Sequence, residues 1–198
     1  TADKKYPTNI ESIEDWEFCC RSLIKDIPRS IKKKLLACAI DGTSGTLIAC
    51  SLEGIPLGKA IPYHLFFPEK VEYLAKLINK DENYIAARSS LNRAFFLIEK
   101  NGTNILLRHQ ADWVNGWLIE NWRWGEEGNN VRLGWNLVKN SWPKTFENLE
   151  WRKCFPEIVP SGTVLAKIST KRAKELELPE EMVIIAGTTD GNASVLAA

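Results

Sequence analysis

The chain has 198 residues, with 26 Lys and Arg against 25 Asp and Glu and 44% hydrophobic residues. A formal charge of +1 gives no general attraction to nucleic acid or to an anionic membrane, and no apolar run approaches the ~20 residues that span a bilayer. The apolar content suffices for a packed core, which argues against disorder, and the length suits one large domain or one and a half. The first residues, TADKKYPT, carry no apolar segment of the secretory-signal type.

Residues 12–34 read as helical. Ser12 is a cap, Glu14 and Asp15 lie in the first turn, and Trp16, Cys20, Leu23 and Ile27 recur at helical spacing. Pro28 interrupts, and the Lys32-Lys33-Lys34 run reads as a solvated helix end. Leu35 to Ile40 is a short apolar run of the kind that forms a strand buried on both faces. The small polar loop Asp41-Gly42-Thr43-Ser44-Gly45-Thr46 follows, then a second strand over 47–52 and a turn at 53–56, which together predict a hairpin-like unit. Helices are predicted over 69–79, 84–99 and 104–119. Residues 120–153 hold most of the tryptophans and predict loops and short helices whose aromatic rings pack in the core. A turn and a strand are expected over 156–168, and a helix over 170–176 with Thr170 as cap. Met182 to Ala186 predicts a second buried strand, running through the loop Gly187-Thr188-Thr189-Asp190-Gly191-Asn192 into a last helix. That helix, SVLAA, stops in mid-run, and the chain opens on Thr1, so a fragment, or a chain processed at both ends, is expected.

Five cysteines at 19, 20, 38, 50 and 154 include no C-x-x-C pair, and His64 and His109 lie far from them. The pattern predicts neither a zinc site nor a disulfide framework, and it suits a reducing, cytoplasm-like compartment.

The chemistry concentrates in two loops. Each follows a buried apolar strand, is built of small polar residues and holds one Asp, Asp41 or Asp190. In open α/β sheets ligands bind beyond the carboxyl ends of strands, so the two loops are expected side by side over one cleft. Free backbone N–H groups there bind anionic oxygens, and an Asp accepts a proton or holds a cation. No G-x-x-x-x-G-K-[ST] and no G-x-S-x-G occurs. Phospho-aspartate chemistry is disfavoured, because the position two residues before Asp41 is Ala39 and that before Asp190 is Thr188.

The segment PEIVPSGTVLAKISTKRAKELELPEEMVIIAGTTDGNASVL, residues 156–196, resembles a stretch of the FGGY carbohydrate kinases, in which a short helix ending A-x-E-L-G-L-P leads to a buried strand and A-G-T-T-D-x-x-A-A. Residues 36–64 resemble the family's substrate loop between two strands, and residues 105–135 its helix and D-x-N-N-A-L-x-x-G-Y region. The D-G-T-S-G-T form is most similar to the ribulokinase/xylulokinase-like branch of cyanobacteria and plants. The resemblance implies an α/β, RNase H-like domain of the actin-like ATPase superfamily, incomplete, with a mixed sheet and flanking helices. Residues 1–198 would be most of the sugar-binding first domain, without its opening strand and phosphate loop and without the second, ATP-binding domain. It implies ATP and Mg2+, held mostly outside these residues, a small sugar as partner, and transfer of phosphate to a hydroxyl of D-ribulose or D-xylulose. Carried over by position, Asp190 is the general base, Gly42, Thr43 and Ser44 form the substrate loop, and Thr189, Asn192 and His109 approach the sugar; no residue is implied as a metal ligand.

Two departures stand out. After the substrate loop the family has an aromatic residue and then D-x-R, whereas this chain reads Tyr63-His64-Leu65-Phe66-Phe67; Ser51 stands where the family has Asp. The competing expectation is a non-catalytic truncated module that binds sugar or a protein partner.

Overall fold

A computed structural model describes residues 9–77 and 87–198. In chain order they form α1 (Ile13–Asp26), α2 (Arg29–Lys32), β1 (Ala37–Gly42), β2 (Leu47–Cys50), α3 (Val71–Leu77), α4 (Ser90–Asn101), β3 (Leu106–His109), α5 (Gln110–Ile119), β4 (Trp124–Glu126), α6 (Glu127–Asn130), β5 (Glu157–Val159), β6 (Val164–Lys167), α7 (Thr170–Leu176), β7 (Val183–Thr189) and α8 (Asp190–Leu196). The architecture is mixed α/β. Among the described residues no helix is long and apolar enough to cross a membrane.

Helix α1 starts where the sequence predicts, with the Ser12 hydroxyl accepting from the Asp15 N–H at 3.1 Å. Ile27 is extended (ψ 126°), because the Pro28 ring disfavours helical backbone in the residue before it. Lys32 departs from the expected solvated end: it is buried, and its Nζ donates to the Leu176 carbonyl at 3.3 Å. Helix α7 covers 170–176 as expected, but its cap is Ser169, whose hydroxyl accepts from the Arg172 N–H.

Among the described residues three sheets organise the interior. β1 and β7 pair in parallel, and β6 adds antiparallel to β7, giving the mixed order β1-β7-β6. The hairpin expected over 35–56 does not form. β2 instead pairs antiparallel with β3, Leu47 opposite His109 and Cys50 opposite Leu106. The same ladder explains why 104–119 is not one helix: residues 106–109 are drawn into the sheet and the helix begins only at Gln110. β4 and β5 form a short parallel pair.

The strand buried on both faces is β2, not β1. Leu47 and Ala49 face a core with Leu91, Leu107, Phe146 and Trp151; Ile48 and Cys50 face a second core with Trp16, Trp113, Trp117 and Ile184. Period-two alternation thus splits one strand between two cores. β1 alternates between exposed and half-buried residues up to Gly42 and is the edge of its sheet, while Leu36, outside the strand, is 82% exposed. A short apolar run does not by itself distinguish a central strand from an edge.

Two predicted helices extend beyond the described residues. A 3-10 turn (Pro68–Lys70) leads into α3, and residues 78–79 of the expected helix lie outside. So do 84–86 of the next, whose described part is α4. The Trp-rich stretch carries only β4, α6 and short 3-10 turns, and Trp113, Trp117, Trp135 and Trp151 are buried in packing contacts.

Candidate active site at the ends of two parallel strands

Because β1 and β7 run side by side in one direction, they deliver residues 42–46 and 188–192 to the same edge of the sheet. The two segments touch. The Ser44 N–H donates to Asp190 Oδ1 at 3.3 Å, and Asp41 Oδ1 accepts from the Thr188 N–H at 2.7 Å. The register shift between Ile40 and Gly42 marks where Asp41 reaches across to β7. Two glycines permit this closeness. A Cβ at Gly187 would collide with the Ile40 carbonyl and Asp41 Oδ1, and one at Gly42 with the start of α5 at Ala111.

The expected loop 187–192 is a strand running directly into a helix. Gly187 to Thr189 belong to β7, and Asp190 is the first residue of α8. Thr189 caps that helix, its hydroxyl accepting from the Asn192 N–H at 3.2 Å, while Asn192 Nδ2 donates to Thr188 Oγ1 at 3.1 Å. Asp190 is exposed. Its Oδ1 accepts from Gly191 N–H at 2.9 Å and from Ser44 N–H; among the described residues Oδ2 takes no hydrogen bond. A carboxylate with one oxygen fixed and the other open is able to accept a proton or a hydrogen bond from a ligand.

The 42–46 loop is braced from behind. The Thr43 N–H and Oγ1 both donate to Gln110 Oε1, at 3.0 and 2.7 Å. Arg93 is buried and donates from Nε to the Gly45 carbonyl (2.9 Å) and from Nη1 to the carbonyls of Tyr63 (3.0 Å) and Leu65 (2.8 Å). Burial, and then the neighbouring Arg132 charge, lower its guanidinium pKa to about 10. Asn92 pairs with both backbone groups of Phe67, at 2.7 and 2.8 Å. The 63–67 stretch, which lacks the Asp and Arg of the resembled family, is therefore held through its backbone.

His109 does not reach the surface. It ends an interior strand and is fully buried, with Nε2 2.9 Å from Ser90 Oγ and Nδ1 3.7 Å from Asp112 Oδ2. Asp112 accepts from the Glu126 N–H (2.9 Å) and Asn130 Nδ2 (3.1 Å). Glu126 accepts from the N–H groups of Gly128 and Asn129, from Asn129 Nδ2 and from Ser161 Oγ, all between 2.6 and 2.9 Å. This buried layer fixes the turn Val131–Leu133, from which Arg132 Nε donates to Ser44 Oγ at 2.8 Å.

The structure thus brings together Gly42, Thr43, Ser44, Thr189, Asp190 and Asn192, and sets His109 behind them. Gln110, Arg93 and Arg132 belong to the same assembly and were not read from the sequence. Gln110 was hidden inside an expected helix; a strand ending at His109 would have exposed it as a loop residue. Arg93 and Arg132 carry no local signal, since their partners are carbonyls and a hydroxyl far along the chain. A cleft of about 730 Å3 shares Asp41, Thr188 and Asn192 with the junction. Among the described residues no three metal-ligating side chains cluster. The two carboxylates at this strand edge, Asp41 and Asp190, suit Mg2+ bound chiefly by phosphate oxygens and water.

No family model matches the chain. Solved structures of similar fold include carbohydrate kinases. A xylulose kinase from Rhodospirillum rubrum superposes with a TM-score of 0.77 at 14% identity, over 96% of this chain and 44% of that one. A carbohydrate kinase from Novosphingobium aromaticivorans gives 0.75 at 17% identity, over 94% and 42%. A gluconate kinase from Lactobacillus acidophilus gives 0.72 at 15% identity, over 98% and 42%. The chain therefore spans about two fifths of the length of these kinases, and at these identities the likeness is one of fold.

Proposed function

We propose that the chain is the sugar-binding part of an ATP-dependent carbohydrate kinase, most of an RNase H-like first domain of the actin-like type. The phosphate loop and the ATP-binding second domain belong to other parts of a longer protein. The acceptor is a ketopentose, D-ribulose or D-xylulose, as the D-G-T-S-G-T loop suggests. Asp190 is the general base. Its open Oδ2 takes the proton of a sugar hydroxyl as that oxygen bonds to the γ-phosphorus and the bond to the departing ADP oxygen breaks. A hydroxyl is a weak nucleophile, and such proton acceptance contributes ~10²–10⁴-fold. Gly42, Thr43 and Ser44 frame the sugar, Thr189 and Asn192 hold the base-bearing turn, and His109 supports the loop through Ser90. Mg2+ entering with ATP supplies charge neutralisation on the phosphates. The reaction would take place in the cytoplasm.

One observation carries the reading: the 3.3 Å contact of Ser44 N–H with Asp190 Oδ1, which joins the two resembled segments at one strand edge within a fold shared with sugar kinases. ADP release from Mg-ATP with a ketopentose panel tests it, using this chain and any longer form its gene encodes. Turnover in the longer form alone, on D-ribulose or D-xylulose, is expected. Turnover by the short chain would relocate the ATP site. Silence in both would favour a binding module, a reading to which the exposed, uncharged Tyr63, Leu65 and Phe66 lend support.

A further inference from the structure

Arg132 has no role in that reading. It projects from a turn that is fixed on every side. Leu133 is fully buried, the Trp135 N–H donates to the Asn130 carbonyl at 3.1 Å, Asn130 Nδ2 is tied to Asp112 and to the Glu126 carbonyl, and Gly134 closes the turn with left-handed backbone (φ 110°). Arg132 itself is exposed. A guanidinium has five N–H donors and no acceptor. Nε is spent on Ser44 Oγ, and among the described residues no carboxylate pairs with the remaining edge.

Ser44 is therefore held from two ends, its N–H by the base and its hydroxyl by a cation. Arg93, the other guanidinium at this loop, is buried and already donates to three carbonyls. Arg132 is left as the donor that faces a ligand. An acceptor lying along Ser44 with its reacting hydroxyl at Asp190 presents its far end to Arg132. The oxygen that best suits a charged planar donor is one with in-plane lone pairs and no proton of its own.

We propose that Arg132 is a specificity residue that donates to an sp2 oxygen, the ketone of a ketopentose or the carboxylate of a sugar acid, at the end of the acceptor remote from the hydroxyl facing Asp190. The inference rests on the kinase reading and narrows it: acceptors with a carbonyl or carboxylate oxygen are selected over pentitols, which offer only hydroxyls.

Calorimetric titration of the full chain with D-ribulose, D-xylulose, D-ribonate and ribitol tests this. The unaltered chain is expected to bind the ketopentoses and ribonate more tightly than ribitol. Arg132→Met frees the Ser44 hydroxyl for all four ligands, and is expected to weaken the first three by ~10-fold or more beyond its effect on ribitol, the loss that follows removal of a charged hydrogen bond, so that selectivity collapses. Arg132→Lys keeps the charge without the fork and should retain ribonate better than the ketopentoses. An unchanged ratio of ribulose to ribitol affinity in Arg132→Met overturns the inference while leaving the sugar-site reading intact. Binding of none of the four by the unaltered chain overturns both. Which of ketone and carboxylate is the natural partner is read from whether ribulose or ribonate loses more. Thermal melts check that each variant folds, as an exposed side chain should allow; should the Met variant fail to fold, the Lys variant and Arg132→Gln carry the same comparison.

Discussion

The layer behind the 42–46 loop and the surface in front of it are built from opposite materials. Behind it, Arg93, Asp112, Glu126, Asn129 and Asn130 are buried, and most of their polar atoms are spent on one another and on backbone groups, Asn129 Oδ1 and Asn130 Oδ1 being the exceptions. In front, Asp190 and Arg132 are exposed and meet through single contacts to Ser44. Buried polar groups are costly unless paired, and once paired they admit few alternative arrangements. The rear layer thus supplies rigidity, and the front keeps unspent donors and acceptors for a ligand.

The sharpest separation of the two regions comes from Asp190→Asn. On the proposed kinase reading, turnover by a longer form should fall ~10²–10⁴-fold, while the unfolding free energy of the chain stays within about 0.5 kcal/mol; a large drop in urea stability would erase the distinction. Glu126→Ala should do the reverse. It strips four donors of their acceptor and should cost ~3 kcal/mol in urea titration, with weakened sugar binding only as a consequence. Arg93→Met leaves the carbonyls of Gly45, Tyr63 and Leu65 without their donor and should cost ~2 kcal/mol. Hydrogen exchange should then quicken at residues 44–46 and 63–67 together, because one side chain ties both.

The smallest effect is one of pH, and it belongs to the interior alone. Burial pushes the Cys50 thiol up to about 12, with Arg108 offsetting part of the shift. The unfolded chain releases that proton near pH 9, so between these values the folded state binds more protons and stability falls as pH rises, by at most about 1.4 kcal/mol per unit. Denaturant titrations from pH 8 to 10 should show the slope, and Cys50→Ala should reduce it, the remainder coming from thiols such as Cys20, which burial raises to about 11. An unchanged slope would mean that other thiols carry the effect.

What the sequence made legible follows the same division. Asp190 and the Gly42–Ser44 loop announce themselves through small residues after apolar strands, a local pattern. Helix α1 was equally plain, since its cap and its stop at Pro28 are local chemistry. The partner of β2 was not legible, because pairing with β3 is decided by which faces the two cores need covered, and strand against helix over 104–109 turned on that choice. His109, which the resemblance sets near the sugar, is buried instead, because it ends β3. Lys32 reads as a solvated helix end and Arg93 gives no signal at all. Their burial depends on carbonyl groups brought to them by distant segments, which no window of sequence displays.

Ser44 and Asp190 are 146 residues apart in the chain, and they meet only because β1 has found β7. Contacts of such separation are slow to form, since the closure entropy of the intervening loop is lost before the contact offsets it. During synthesis Asp190 leaves the ribosome long after the loop it faces, so for most of that time the front of the site has no partner. The layer around Glu126, whose members are near neighbours in sequence apart from Ser161, can assemble well before then. Timing thus separates scaffold from chemistry: the first sign of ligand affinity in a refolding experiment should mark the end of folding rather than a step along the way.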